Sequence, residues 1–239
     1  MKLYKQSITA LIIITGLYVA GTAYAASKPV VGIAEFKKSV AVNWWGGQVG
    51  RDMADMLANE LMATKKFNVV ERQKLNAVIG EQDLAAAGRI KKGTGAKTGQ
   101  LTGAKYLVTG TVTSYEENTA STGGGLSFKG IKLGGSKGKA YIAVDLRVID
   151  TTTGVVIDSR TVEANSSKGG LNLGFFKSGV GGNFNTKKKT PAMKAVRAVI
   201  MEISEYLACS MVDQDSCLDD YDAKESRRRE KTKGSITLE

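Results

Sequence analysis

The sequence has no histidine and only two cysteines in 239 residues. Without histidine it lacks the side chain that most often serves as general base near neutral pH and activates a serine or cysteine nucleophile. No Cys, Asp and Glu cluster has metal-ligand spacing. Asp213, Asp215, Asp219 and Asp220 lie close together, but without the calcium-loop pattern. An enzyme, a resident metal and a cofactor are therefore not expected. The stretch GTGAKTG, Gly93 to Gly99, has the outline of a phosphate loop. It fails because Ala96 stands where a glycine should precede Lys97 and because no strand leads into it. Nucleotide is not an expected ligand.

Long apolar runs are also missing beyond the N-terminus. Lys2 and Lys5 form a short basic region, Ile8 to Gly21 is apolar, and Ala23-Tyr24-Ala25 is a small-x-small cleavage pattern. Residues 1–25 are expected to be an export signal that is removed. An uncleaved anchor is the alternative, but the run is short against the roughly 20 residues that span a bilayer. No cysteine stands at the junction, so a lipoprotein anchor is not expected. The remaining chain suits one domain over 26–218, followed by a charged tail, 219–239, expected to be disordered.

The chain carries a formal net charge of +11 and a pI near 9.5. The positive charge gathers at Lys91-Lys92, from Lys129 to Lys139, at Lys187-Lys188-Lys189 and at Arg227-Arg228-Arg229. No aromatics are interleaved to stack on bases, which argues against nucleic acid. For an exported chain, anionic head groups or an acidic polymer are the better match, and plain solubilisation of loops the simplest. Cys209 and Cys217 could close one small disulfide loop in an oxidising compartment.

Periodicity gives an order of elements. Lys28 to Phe36 reads as a strand, Lys37 to Gly47 as a loop, and Gln48 to Thr64 as an amphipathic helix with Met53, Met56, Leu57 and Leu61 on its apolar stripe. Phe67 to Val70 is a second strand. Glu71 to Ala87 is a second helix, with Leu75, Val78, Ile79 and Leu84 on one side, and a short helical turn follows near Gln100 to Ala104. Tyr106 to Tyr115, Ala140 to Asp150 and Val155 to Ala164 read as strands, the last two joined by a Thr151 to Gly154 turn. Thr190 and Pro191 are an N-cap and first-turn pair opening a helix striped by Met193, Val196, Ile200, Ile203 and Leu207. Together these predict an α/β fold with helices on a mixed sheet in a three-layer-like arrangement.

Two long inserts interrupt this frame. Leu107 to Asp150 reads as a strand, a glycine-, serine- and lysine-rich excursion without proline, and a second strand; Asn165 to Lys189 is a second insert of the same kind. Adjacent strands are normally joined in a few residues, so inserts this long point to a task. In the first, Leu126, Phe128, Ile131 and Leu133 alternate with polar residues, with a slip at Gly130. In the second, Leu171 and Leu173 alternate with Asn172 and Gly174 ahead of Phe175 and Phe176. Those eight apolar residues are the candidate lipid-facing side of membrane hairpins. Lone hairpins cannot satisfy their edges in lipid, so a barrel would need several subunits; the plainer alternative is a pair of disordered basic loops. Trp44 and Trp45 either cap the core or stand exposed.

The blocks FNVVERQKLNAVIGEQ (Phe67 to Gln82), GAKYLVTGTVTSYEENTASTGGG (Gly103 to Gly125), IAVDLRVIDTTTGVVIDSRTVEAN (Ile142 to Asn165) and TPAMKAVRAVI (Thr190 to Ile200) resemble the CsgG/HfaB family. Its members include the outer-membrane secretion channel of curli biogenesis and relatives in holdfast attachment. The resemblance implies a periplasmic α/β domain assembled as a homo-oligomeric ring, nine-fold in the curli channel. Each subunit would give two hairpins, here about 114–143 and 161–187, to one outer-membrane barrel. It implies surface-fibre or adhesion polypeptides as cargo and accessory secretion proteins as partners. It further implies a constricting loop bearing a tyrosine, an asparagine and a phenylalanine. Counting back from Phe67 puts Val40, Trp44 and Trp45 at those places. The chain departs from the curli channel in lacking the lipobox cysteine. A periplasmic binding module, like the related lipoprotein activators of peptidoglycan synthases, is the alternative within the same resemblance.

Overall fold

The computed structural model describes residues 27–120, 127–128, 131–132, 137–167, 170–172 and 191–235. The expected export signal lies outside them, as do Leu126, Leu133, Leu173, Phe175, Phe176 and the N-cap Thr190.

The elements run β1 (Val30–Ile33), β2 (Lys37–Lys38), α1 (Val49–Thr64), β3 (Asn68–Val70), α2 (Leu75–Ala86), β4 (Tyr106–Ala120), β5 (Ser127–Phe128), β6 (Ile131–Lys132), β7 (Lys137–Asp150), β8 (Val156–Ser167), β9 (Gly170–Asn172) and α3 (Pro191–Ala208). A π-helical turn (Cys209–Asp213) and α4 (Cys217–Gly234) close the chain. The main sheet is mixed, in the order β3-β1-β4-β7-β8-β9, with β2 also on β4. β1 is parallel to β3 and β4, and β4, β7, β8 and β9 are successive antiparallel neighbours. The β7–β8 turn forms because the Asp150 carboxylate accepts the Thr152 and Thr153 amides, and Gly154 takes the positive φ that closes it.

One face of the sheet carries the core. Val108 and Val112 of β4, Ile142, Val144, Leu146 and Val148 of β7 and Val162 and Ala164 of β8 are buried with Met53, Leu57 and Leu61 of α1 and Val196, Ile200, Ile203 and Leu207 of α3. These are every second residue on the strands and one stripe on each helix, as the two periods require. Met193, expected on the α3 stripe, stays 41% exposed. Phe36 seals the end of this core. Its ring lies on Gly110, where a Cβ would stand 2.2 Å from it, and a Cβ on Gly50 would stand equally close to its carbonyl oxygen. Glycine at 110 and 50 is what lets the link between β1 and α1 pack this closely on β4 and α1.

Six expectations need correction. The strand expected over Lys28 to Phe36 is only β1, and β2 sits inside the expected loop because Lys37 and Lys38 pair with Thr111 and Val112. The second helix begins at Leu75 rather than Glu71, since the Glu71 carboxylate takes the Gln73 and Lys74 amides and holds a turn ahead of it. Its apolar side is not core: Val78, Ile79 and Leu84 are 38–40% exposed, and α2 has no extensive packing partner among the described elements. α1 and α3 instead share one face, so the helices that pack on the sheet form one layer rather than two. The turn expected at Gln100 to Ala104 is irregular chain.

The sixth correction is the tail. From Cys217 to Gly234 it is a helix, docked by its first half. Tyr221 is buried, its ring edge-on to Tyr206 at 5.1 Å, and the Arg160 guanidinium of β8 lies 4.8 Å from one ring and 5.3 Å from the other. Arg160 also donates to the Tyr221 carbonyl. Lys224 pairs with Glu202 of α3, and a Cys209–Cys217 disulfide with Cα atoms 6.0 Å apart ties the turn to α4. A charged composition suggested disorder, but four partners on the body compensate for it.

Gly110→Ala is expected to lose about 1–3 kcal/mol of stability by driving a methyl into the Phe36 ring, read by urea denaturation. Burial, with the hydrogen bond that Tyr206 donates to Asp158, pushes the Tyr206 hydroxyl up to about 12 from 10.0. The folded chain then keeps a proton that the unfolded chain gives up, so this contribution is whole below pH 10 and fades as pH rises towards 12. Denaturation midpoints between those pH values should fall more steeply for the parent chain than for Tyr206→Phe.

Candidate functional site

The most distinctive site is where the sheet runs out of the domain. β4 pairs with β7 without a break in direction from Tyr106↔Asp150 to Ala120↔Lys137, well past the core. β8 follows β7 to Lys139↔Ser167, and β9 returns on it at Asn165↔Asn172. Both inserts therefore leave from the same end of the sheet as antiparallel neighbours. Within the first, β5 and β6 pair with each other, Phe128 opposite Ile131. Leu171 lies on β9, opposite Ser166.

The exit point is marked by an irregularity. Register on β4 slips between Val112 and Ser114, leaving Thr113 as an extra residue against β7. A bulge of this kind bends a strand and strengthens its twist. It falls one residue before position 114, where the first hairpin is expected to begin.

The loop carrying Val40, Trp44 and Trp45 is fastened to this same place. Ser39 bonds the Val112 carbonyl through both its amide and its hydroxyl, so the loop starts beside the bulge. The Trp45 amide donates to Val42, whose side chain is buried. The Trp44 and Trp45 rings lie 5.9 Å apart, tilted by 40°, and Trp44 meets Tyr115 of β4 edge-on at 5.2 Å. Tyr115 in turn donates its hydroxyl proton to Glu117. All three expected loop residues are half-buried and lean on the core cluster. The structure thus brings Trp44 and Trp45 together with Tyr115, which sequence reasoning missed as part of this group, while Val40 leans on the core. Its place at the first insert's boundary was the available signal.

The chemistry here is packing and shape. Among the described residues no group of three or more His, Cys, Asp and Glu could hold a metal, and no described helix is long and apolar enough to cross a membrane. The buried Trp44 Nε1–H has no acceptor in hydrogen-bond geometry among the described residues, although it faces Tyr115.

Comparison with known proteins decides the kinship. The family model "Curli production assembly/transport component CsgG" matches residues 17–236. The chain belongs to the CsgG family. Proteins of that name from Salmonella typhimurium and Escherichia coli K12 are each 31% identical over 130 residues, 52% of this chain and 46% of theirs. The chain thus matches about half the length of these relatives. Among solved structures, the PelC dodecamer from Paraburkholderia phytofirmans aligns with a TM-score of 0.36 at 12% identity, over 74% of this chain and 86% of that one. A likeness that low carries no statement about assembly.

Both tryptophans of the chain lie in this loop, so intrinsic fluorescence reports on it. Trp44→Phe keeps an aromatic ring against Tyr115 and removes the unpaired N–H. It should leave urea stability unchanged or raise it by about 1 kcal/mol, while Trp44→Ala, which loses the aromatic pair as well as ring burial, should lower it by about 2 kcal/mol.

Proposed function

We propose that this CsgG-family chain is a subunit of an oligomeric outer-membrane channel, or assembly component, for secreting surface-fibre or adhesion polypeptides. The observation that carries this reading is the four-stranded exit, with β4, β7, β8 and β9 side by side and continuous with the core sheet. Two hairpins delivered together, already in register, are what one subunit of a shared barrel must supply. A barrel closed by many such subunits would leave no open edge in lipid. In the proposed ring, Leu126, Phe128, Ile131, Leu133, Leu171, Leu173, Phe175 and Phe176 would face lipid.

The Val40, Trp44 and Trp45 loop would narrow the opening. Its attachment to β4 at the bulge, rather than to a mobile linker, would keep the constriction rigid. Passage would depend on diffusion and capture, since the sequence carries no phosphate-loop pattern through which a nucleotide could drive it. Lysines of the inserts that face the lumen would favour acidic cargo.

Envelope fractionation followed by negative-stain imaging of detergent extracts is the direct test. Rings in the outer-membrane fraction, lost when Gly123–Lys139 and Gly169–Lys187 are deleted, are the expected result. A soluble periplasmic monomer, unaltered by those deletions, would overturn the channel and leave a periplasmic binding module of the same family.

A further inference from the structure

α2 and the loop after it form an ordered surface with little cover from the described chain. Val78, Ile79 and Leu84 of α2 are 38–40% exposed, and Leu101 of the returning loop is 47% exposed. Leu75, Val78 and Leu101 line a cleft of about 350 Å³. The loop is fixed to the helix. The Arg89 amide donates to the Leu84 carbonyl, and Thr94 donates to the Lys91 carbonyl through both its amide and its hydroxyl. Gly95 packs so tightly on Ala85 that a Cβ at 95 would stand 2.7 Å from the Ala85 Cβ. This platform presents Arg89, Lys91, Lys92 and Lys97, all exposed and none in an ion pair among the described residues. No acidic residue occurs from Leu84 to Tyr115 to offset them.

The opposite side of the domain carries the complement. α1 lies over β1 and β3, and α3 over β7 and β8. α2 is attached on the α1 side, where Lys74 at its head pairs with Asp55, and α4 on the α3 side, where Lys224 pairs with Glu202. The sheet runs sideways between them from β3 to β9. Around the start of α4, residues 213–222 hold five aspartates and no lysine or arginine. Asp213 is paired with Lys66 and Asp222 lies by Arg160, but Asp219 and Asp220 are exposed and make no ion pair among the described residues. Apolar side chains stand out on this side as well: Val212, and Val155, Val156 and Ile157 just ahead of the Asp158 that holds Tyr206.

We propose that the α2 surface docks a second copy of this chain, its apolar side against the neighbour's exposed valines and isoleucine and its basic loop against the neighbour's Asp219 and Asp220. The inference rests on the channel reading and names the contact between domains of adjacent subunits. Strands of a barrel wall follow one another around its circumference. With β4, β7, β8 and β9 laid in that direction, the β3 side of each subunit turns toward the β8 side of the next. Two unlike surfaces meeting head to tail are what closes a ring. The apolar side chains supply buried area, and the opposed charges select the register in which the copies meet.

The test counts rings by negative stain in detergent extracts of outer membranes. The full chain is expressed as the parent, as Lys91→Glu/Lys92→Glu, as Asp219→Lys/Asp220→Lys and with all four substitutions together. Each reversed pair should lower the yield of rings at least about tenfold, because like charges then face each other across the contact. Combining the two pairs should restore the yield, which also shows that the reversed chains fold. Ile79→Asp, at an exposed site, should lower the yield in the parent and in the fourfold variant alike. Rings from the parent that are undiminished by either reversal, or by Ile79→Asp, would overturn this contact and leave the channel reading standing. Loss in the reversed pairs without recovery in the fourfold variant would do the same. No rings from the parent chain would overturn both.

Discussion

The β4–β7 ladder bears on everything else in the molecule. Its lower half is core: alternate residues from Val108 to Val112 and from Ile142 to Val148 are buried under α1 and α3. Its upper half continues past that cover to Ala120 and Lys137. The same backbone hydrogen bonds therefore hold the domain together and aim the first insert. An antiparallel ladder is stiff across its width, so burial at one end fixes the direction of the other. β8 and β9 then inherit their place from β7, and the second insert emerges beside the first because of that pairing.

How much of this the sequence disclosed follows from the physics of each segment. β4, β7 and β8 were legible because one face alternates β-branched and polar residues, and the turn because Thr151 to Gly154 stands as a short glycine-ended break between two such strands. α1 and α3 were legible from their stripes. α2 was legible as a helix but not as an unburied one. Periodicity records that Leu75, Val78, Ile79 and Leu84 share a side, and says nothing about whether a partner lies against it. β2 is two lysines, and nothing in Lys37-Lys38 announces a strand; the pairing is imposed by Phe36 and Ser39 on either side.

The tail shows the opposite failure. Composition from Asp219 onward is that of a disordered segment, and its fold rests on tertiary partners that are remote in sequence: Arg160, Glu202 and Tyr206. Tyr221 is the lone large ring in that stretch, and it is the residue buried. The loop of Trp44 and Trp45 lies between these cases. Two adjacent tryptophans marked it as unusual, while its attachment to the strand beside Thr113 depended on the contacts of Ser39 and Tyr115 that no local pattern carries.

The extra residue at Thr113 has an arithmetic effect on the strand that follows. Opposed residues on paired strands point the same way. Val112 opposes Val144 and Tyr115 opposes Ile142, both of them inward-facing on β7. Even-numbered positions of β4 thus lie on the helix-covered side up to Val112, whereas past the bulge it is the odd-numbered Tyr115 that does so, and β7 keeps its parity between Ile142 and Val148. Any labelling survey that counts by twos from Val108 along β4 would sample one side as far as Val112 and the other from Ser114, and a map of inner and outer surfaces built without that shift of frame would come out inverted.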